Sequence, residues 1–131
     1  HKSSIRPGKP ILFAETEFNN QKKFIFGVPG NPISTAVGLR FFILPFINQL
    51  IGKKNDDRYL AELNQDVTKP DGLTCFFKAI KNIKDNQQFV QSLPGQASFM
   101  VSPMFQSNGW VILPENGSKI TKGTKVEVCE L

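Results

Sequence analysis

The chain has 131 residues, enough for one compact domain or two small ones. Hydrophobic residues make up 40% and charged residues 21%, with 12 Phe among them, which excludes a disordered chain and predicts a soluble folded one. The net charge of +5 is unevenly spread, since residues 1–57 hold eight basic and four acidic groups while residues 58–131 hold eight and seven. This bias suits an anionic ligand, and equally a scatter of lysines on a solvated surface.

In chain order, 11–14 and 24–26 are short runs rich in Phe and Ile and read as two strands, with the polar stretch 17–23 as the loop between them. Gly27-Val28-Pro29-Gly30-Asn31-Pro32 then breaks the strand. Asn31 suits an N-cap and Pro32 the first helical position, so a helix is expected from 32 to about 51, stopping at Gly52. It is apolar on nearly every side, with Ile33, Val37, Phe41, Leu44 and Ile47 on one set of turns and Leu39, Phe42 and Phe46 on others. Arg40, Pro45, Asn48 and Gln49 interrupt it, which favours a helix buried between layers over a membrane span. Pro45 predicts a kink or a fresh helical start near 42–45.

Lys53-Lys54-Asn55-Asp56-Asp57-Arg58 is a polar linker and the best domain boundary. Beyond it come short strands with turn signals, the pattern of a small all-β module. Runs 74–83 and 88–93 flank the hairpin-like turn Asp85-Asn86. Residues 110–113 form another strand and 126–131 close the chain after a turn at Lys122-Gly123. Trp110 and Phe105 are expected in the core of this module.

Three segments carry groups that could meet a ligand. Arg6-Pro7-Gly8-Lys9-Pro10 sets two cations three residues apart on a proline-stiffened backbone, and a preset pair loses less entropy on gripping a phosphate or other oxyanion. The turn from Gly27 to Pro32 combines bare glycine backbone with the positive end of a helix, and Gly30 is expected to be a close-approach or left-handed position. Pro94-Gly95-Gln96-Ala97-Ser98 brings an amide and a hydroxyl together in a loop. Taken singly, each also fits an ordinary solvated loop or strand-to-helix turn.

Other chemistry is not encoded. Cys75 and Cys129 form no CxxC pair and the only histidine is His1, so neither a zinc site nor a Ser/His/Asp or Cys/His set is expected, and a reducing cytoplasmic compartment is. Glu15, Glu17, Asp56 and Asp57 fall in expected loops without metal-ligand spacing. The start at His1, without a basic and then apolar leader, reads as a cut rather than a secretory signal.

Together, Arg6-Pro-Gly-Lys-Pro10, Gly27-Val-Pro-Gly-Asn-Pro32-Ile-Ser34, the apolar helix with Pro45, Leu93-Pro-Gly-Gln-Ala-Ser98, Ser107-Asn-Gly109 and Val111-Ile-Leu-Pro114 resemble the MoeA family of molybdopterin molybdenumtransferases, in order and spacing from end to end. The gephyrin E domain is its animal relative. The resemblance implies an α/β remnant over 1–57, two short strands and a buried helix from the molybdopterin-binding domain, followed by a small β-barrel domain over 58–131.

It further implies a transferase that inserts molybdate into adenylylated molybdopterin and releases AMP with Mg²⁺, the catalytic and metal-holding carboxylates lying upstream of this fragment, which would be inactive alone. Arg6, Lys9, Gly30, Asn31, Pro32, Ser34 and Ser98 are the implied substrate and oxyanion-binding residues. Lys9 matches a cleft lysine, whereas Arg6 stands where a lysine is usual and Ala97 where a glycine is common. A homodimer and functional partnership with a molybdopterin adenylyltransferase are implied too, with no nucleic acid or membrane. Two readings from other classes stand beside it. One is a basic β-barrel binding single-stranded nucleic acid, disfavoured because Phe76, Phe77, Phe89 and Phe105 lack regularly interleaved basic residues; the other is a protein-interaction module.

Overall fold

The computed structural model describes residues 4–131; His1, on which the exclusion of histidine chemistry rests, lies outside the described residues. Strands β2 (Leu12–Phe18) and β3 (Gln21–Gly27) form an antiparallel hairpin with Phe13 opposite Phe26 and Phe18 opposite Gln21. The loop expected over 17–23 is therefore mostly strand, and the turn is only Asn19-Asn20, at φ 51° and 57°. Two successive left-handed residues give the tight turn whose twist matches the paired strands, and Asn tolerates that conformation. The polar residues around it mark an exposed hairpin end rather than a loop.

The helix expected from 32 is present but internally divided. Helix α1 (Pro32–Gly38) passes into a π-helical segment (Leu39–Ile43) and then α2 (Leu44–Leu50). The Leu44 N–H donates to Leu39 O, five residues back. The wider turn falls immediately before Pro45, which has no N–H to offer, so of the kink or fresh helical start expected near 42–45 the structure has the fresh start, with α2 beginning at Leu44. Asn31 does stand at the N-cap with extended backbone, yet its side chain makes no capping hydrogen bond. The Ile33 N–H instead donates to Ser98 O at 3.3 Å, from a loop of the β-module.

That module is a five-stranded mixed barrel, confirming the expected fold class. Strands β4 (Tyr59–Leu63), β6 (Thr74–Lys84), β7 (Gln87–Ser92), β8 (Gly109–Leu113) and β10 (Lys125–Glu130) run in the order β6-β7-β4-β10-β8, and β8 pairs back onto β6 to close it. Short β5 (Val67–Thr68) and β9 (Lys119–Ile120) pair beside it, and α3 (Ser102–Gln106) spans a loop. The β6–β7 hairpin turns on Asp85-Asn86 as expected, at φ 50° and 61°. Strand β1 (Ile5–Arg6) pairs in parallel with the start of β6, so the Arg6-to-Pro10 segment begins on the barrel.

Alternation along the strands divides the buried residues between two cores. Cys75, Phe77, Ala79, Val111, Leu113, Val126 and Val128 fill the barrel, while Phe76, Trp110, Ile112 and Cys129 face outward and meet Ile33, Val37 and Phe41 of the helix. Trp110 is buried as expected, but Phe105 is 86% exposed. It sits on α3 outside the barrel, where no core face lies opposite it. The hairpin covers a second stripe of the helix, where Phe46 meets the rings of Phe13, Phe24 and Phe26 at 4.9–5.4 Å. Pro32–Leu50 is long and apolar enough to cross a membrane, and these two contacts account for part of its apolarity. A third stripe, Leu39, Leu44, Ile47 and Leu50, is exposed, so the helix is only partly buried.

Candidate functional site: a cationic cleft between helix and barrel

The three ligand-competent segments converge on one cleft of about 390 Å³, whose walls include Arg6, Lys9, Asn31, Ser34, Ser98 and Phe99. Five of the seven implied site residues thus come together from positions up to 92 apart in sequence. Gly30 and Pro32 are exposed beside the cleft but do not line it.

Local folding explains the convergence. Pairing of β1 with β6 fixes Arg6 against Cys75 of the barrel. The chain then turns through Gly8, at φ 122°, where a Cβ would come within 3.2 Å of Ile5 Cδ1 and 3.5 Å of Val37 Cγ1. The conformation calls for glycine there, and a Cβ would also crowd the tip of Ile5. Pro7 and Gly8 are buried while Lys9 remains exposed. Ser34 is buried in the first turn of α1, and Thr35 Oγ1 donates to Pro29 O at 2.6 Å, tying that turn to the segment before it.

Gly30 behaves differently from expectation. Its φ is not left-handed, and a Cβ built on it meets nothing within 4 Å. The turn itself does not require glycine at this position; what Gly30 offers is bare backbone at the surface.

The Gln96-to-Ser98 loop divides its polar groups between two tasks. Gln96 is committed to backbone: Oε1 accepts from Lys78 N at 2.9 Å, and Nε2 donates to Lys78 O at 2.8 Å and Leu93 O at 2.6 Å. Ser98 lies half-buried on the cleft wall, with its carbonyl taken by Ile33 N. Lys78, absent from the sequence expectations, is fully buried, and its Nζ donates to Gly95 O at 2.8 Å and Met100 O at 2.9 Å. Burial pushes its pKa below the usual lysine value. The signal that could have revealed it is a lone lysine in the run Cys75-Phe76-Phe77-Lys78-Ala79, where only a fully bonded ammonium would be tolerated.

The cleft lining holds two cations and no carboxylate, together with the hydroxyl-bearing residues Ser34 and Ser98. Such a lining can neutralise and hydrogen-bond an oxyanion. A broader depression of about 610 Å³ shares Arg6 and Ala97 with it, but its other charges are engaged. Lys69 Nζ donates to the carbonyls of Pro70, Leu73 and Glu115, and Asp66 binds Lys119 Nζ at 2.8 Å and Lys122 N at 2.9 Å. Among the described residues no three His, Cys, Asp or Glu side chains cluster to hold a metal. Both cysteines are buried, and burial raises their thiol pKa values, which keeps them in the protonated, unreactive form. Phe76 and Phe77 lie within the two cores and offer no platform for stacking bases.

Residues 61–131 match the family described as the MoeA C-terminal region, domain IV. The chain belongs to the MoeA family. A molybdopterin molybdenumtransferase of Synechococcus elongatus is 34% identical over 131 residues, spanning all of this chain and 31% of that protein. Gephyrin of Dictyostelium discoideum is 26% identical over 95% of the chain and 20% of its own length. In fold, the molybdopterin biosynthesis MoeA protein of Pyrococcus horikoshii OT3 superposes over the whole chain with a TM-score of 0.76 at 20% identity, the match covering 31% of that structure. The chain therefore spans about a third of the length of the Synechococcus and Pyrococcus proteins and a fifth of that gephyrin.

Proposed function

We propose that this chain is the C-terminal part of a molybdenum cofactor biosynthesis enzyme, a transferase that inserts molybdate into adenylylated molybdopterin with release of AMP. Its contribution is a cleft wall that binds oxyanions. The observation that carries this reading is the convergence of Arg6, Lys9, Ser34 and Ser98 on one carboxylate-free cleft, in a chain of the MoeA family. Residues 1–57 supply the cations and the helix end, and residues 58–131 supply the barrel loop that faces them.

The residues of this cleft do not fit a Mg²⁺ ion, which prefers carboxylate and water oxygens, so no step is assigned to a metal here. The 131-residue chain alone is accordingly expected to show no molybdenum insertion. In a full-length background, Lys9→Ala should weaken oxyanion handling by about 1.5–3 kcal/mol through loss of a charge-assisted bond. Ser98→Ala should lower activity without loss of stability, because the bond that Ser98 makes to the helix uses its carbonyl and survives the substitution. Wild-type kinetics in both variants would return these residues to a solvated surface.

The exposed stripe of Leu39, Leu44, Ile47 and Leu50 supports self-association, since burying such side chains is worth roughly 1.5–3 kcal/mol each. A cytoplasmic homodimer working beside a molybdopterin adenylyltransferase accords with this reading. Sedimentation should show a dimer or exchanged segment at micromolar concentration, and a stable monomer would remove the association.

A further inference from the structure

Lys78 has an ammonium buried in a chain where an apolar side chain would cost far less, and the reason lies in what it holds. Its Nζ donates to Gly95 O and Met100 O, two carbonyls that bracket Ser98 in sequence. The same residue's backbone N–H and carbonyl are both taken by the Gln96 amide, and its carbonyl also accepts from Leu93 N at 2.9 Å. A turn from Met100 N to Ala97 O, 3.0 Å, encloses Ser98. The held loop then offers Ser98 O to Ile33 N, on the helix whose first turn carries Ser34 into the same cleft. One strand residue thus sets the relation between the two polar walls.

We infer that Lys78 and Gln96 are positioning residues for the cleft, holding the 94–101 loop so that Ser98 both lines the oxyanion site and docks the end of α1. This rests on the reading of the cleft as an oxyanion site. A lysine buried only to fill space would bond wherever carbonyls were nearest; this one bonds solely to the loop that carries Ser98. Gln96 reinforces the clip by acting as a neighbouring peptide would, donating and accepting with one residue of β6.

The test uses the 131-residue chain, with molybdate alone as the titrant and amide hydrogen exchange read by NMR. Lys78→Met should leave the barrel amides of Val111 and Leu113 protected, while exchange of the Ile33 and Met100 amides quickens and molybdate affinity falls about tenfold, as for loss of one charge-assisted bond. Ser98→Ala should lower affinity without changing the Ile33 amide. Should Lys78→Met fail to fold, Gln96→Ala removes the other half of the clip without burying a new group, and the same pattern is expected. Unchanged Ile33 exchange in a folded variant overturns the positioning role, and so does a loosened loop with wild-type affinity. A wild-type chain that binds no molybdate overturns the cleft reading and the ligand-placing role with it, while the exchange data report separately whether the clip exists.

Discussion

The ring of Phe41 lies 4.2 Å from that of Phe76, tilted by 31°, and the edge of Trp110 meets Phe41 from 5.9 Å. This contact fastens the helix to the outer face of the barrel, and the Arg58 guanidinium covers Phe41 at 5.7 Å from its centroid. Phe41→Ala should cost about 3–5 kcal/mol by opening a cavity in a close-packed aromatic cluster. Thermal unfolding followed at Trp110 fluorescence measures it; a loss below 1 kcal/mol would mean that the helix is anchored mainly elsewhere.

Gly95 and Gly30 make a matched pair, both in loops next to the cleft. Gly95 has φ 74°, and a Cβ there would lie 3.0 Å from Met100 Cε and Pro103 Cγ. Gly95→Ala should destabilise by about 1–3 kcal/mol, combining left-handed strain with crowding. Gly30→Ala should fall within about 0.5 kcal/mol of wild type, as for an unremarkable surface site. Denaturant midpoints of the two variants give the comparison, and equal midpoints would contradict it.

Asp66 gives the fold an acid-sensitive clasp. Hydrogen bonds from the Lys119 side chain and then the Lys122 backbone hold its carboxyl below the usual aspartate value. A group whose folded pKa is depressed stabilises above its unfolded value and loses that contribution as pH falls through the folded one. Stability should therefore decline on acidification below the ordinary aspartate range, and the part due to Asp66 should vanish in Asp66→Asn. Melting curves from pH 6 downward test this, with parallel pH profiles for both proteins as the contrary result.

The turn Asp85-Asn86 places two L-residues in left-handed conformation, at φ 50° and 61°. Asn86→Gly should stabilise the β6–β7 hairpin by up to about 1 kcal/mol, since glycine carries no side-chain penalty there and the Asp-Gly pair is favoured in this turn. A lower melting temperature in the variant would show that the Asn86 side chain contributes more than its backbone strain costs.

Much of this architecture is legible in the sequence. Asp85-Asn86 announced its hairpin because turn chemistry is local, and the helix start at Pro32 followed from proline's fixed φ. The turn at Asn19-Asn20 is not separable in the sequence from the polar loop expected over 17–23, because an exposed hairpin end carries the same residues as a loop. Aromatic residues are usually buried, which is why Phe105 reads as core, and nothing in its neighbours reveals that α3 turns Pro103 and Met104 inward and Phe105 to solvent. The site divided in the same way. Arg6, Lys9 and Ser98 stand out by residue type within their segments and Ser34 only through the family resemblance, whereas Lys78 acts through contacts 17 and 22 residues away that no local pattern reports.

The neighbouring residues Phe76 and Phe77 belong to different cores, one shared with the helix and one enclosed by the barrel. Successive positions of the same strand therefore answer to separate selective pressures. Across related sequences, the volume at 76 should vary in concert with that at 41 and 110, and the volume at 77 with that at 111 and 126, with little correlation between the two sets. Such a strand lets the outer contact drift as the helix diverges while the barrel interior keeps its own volume.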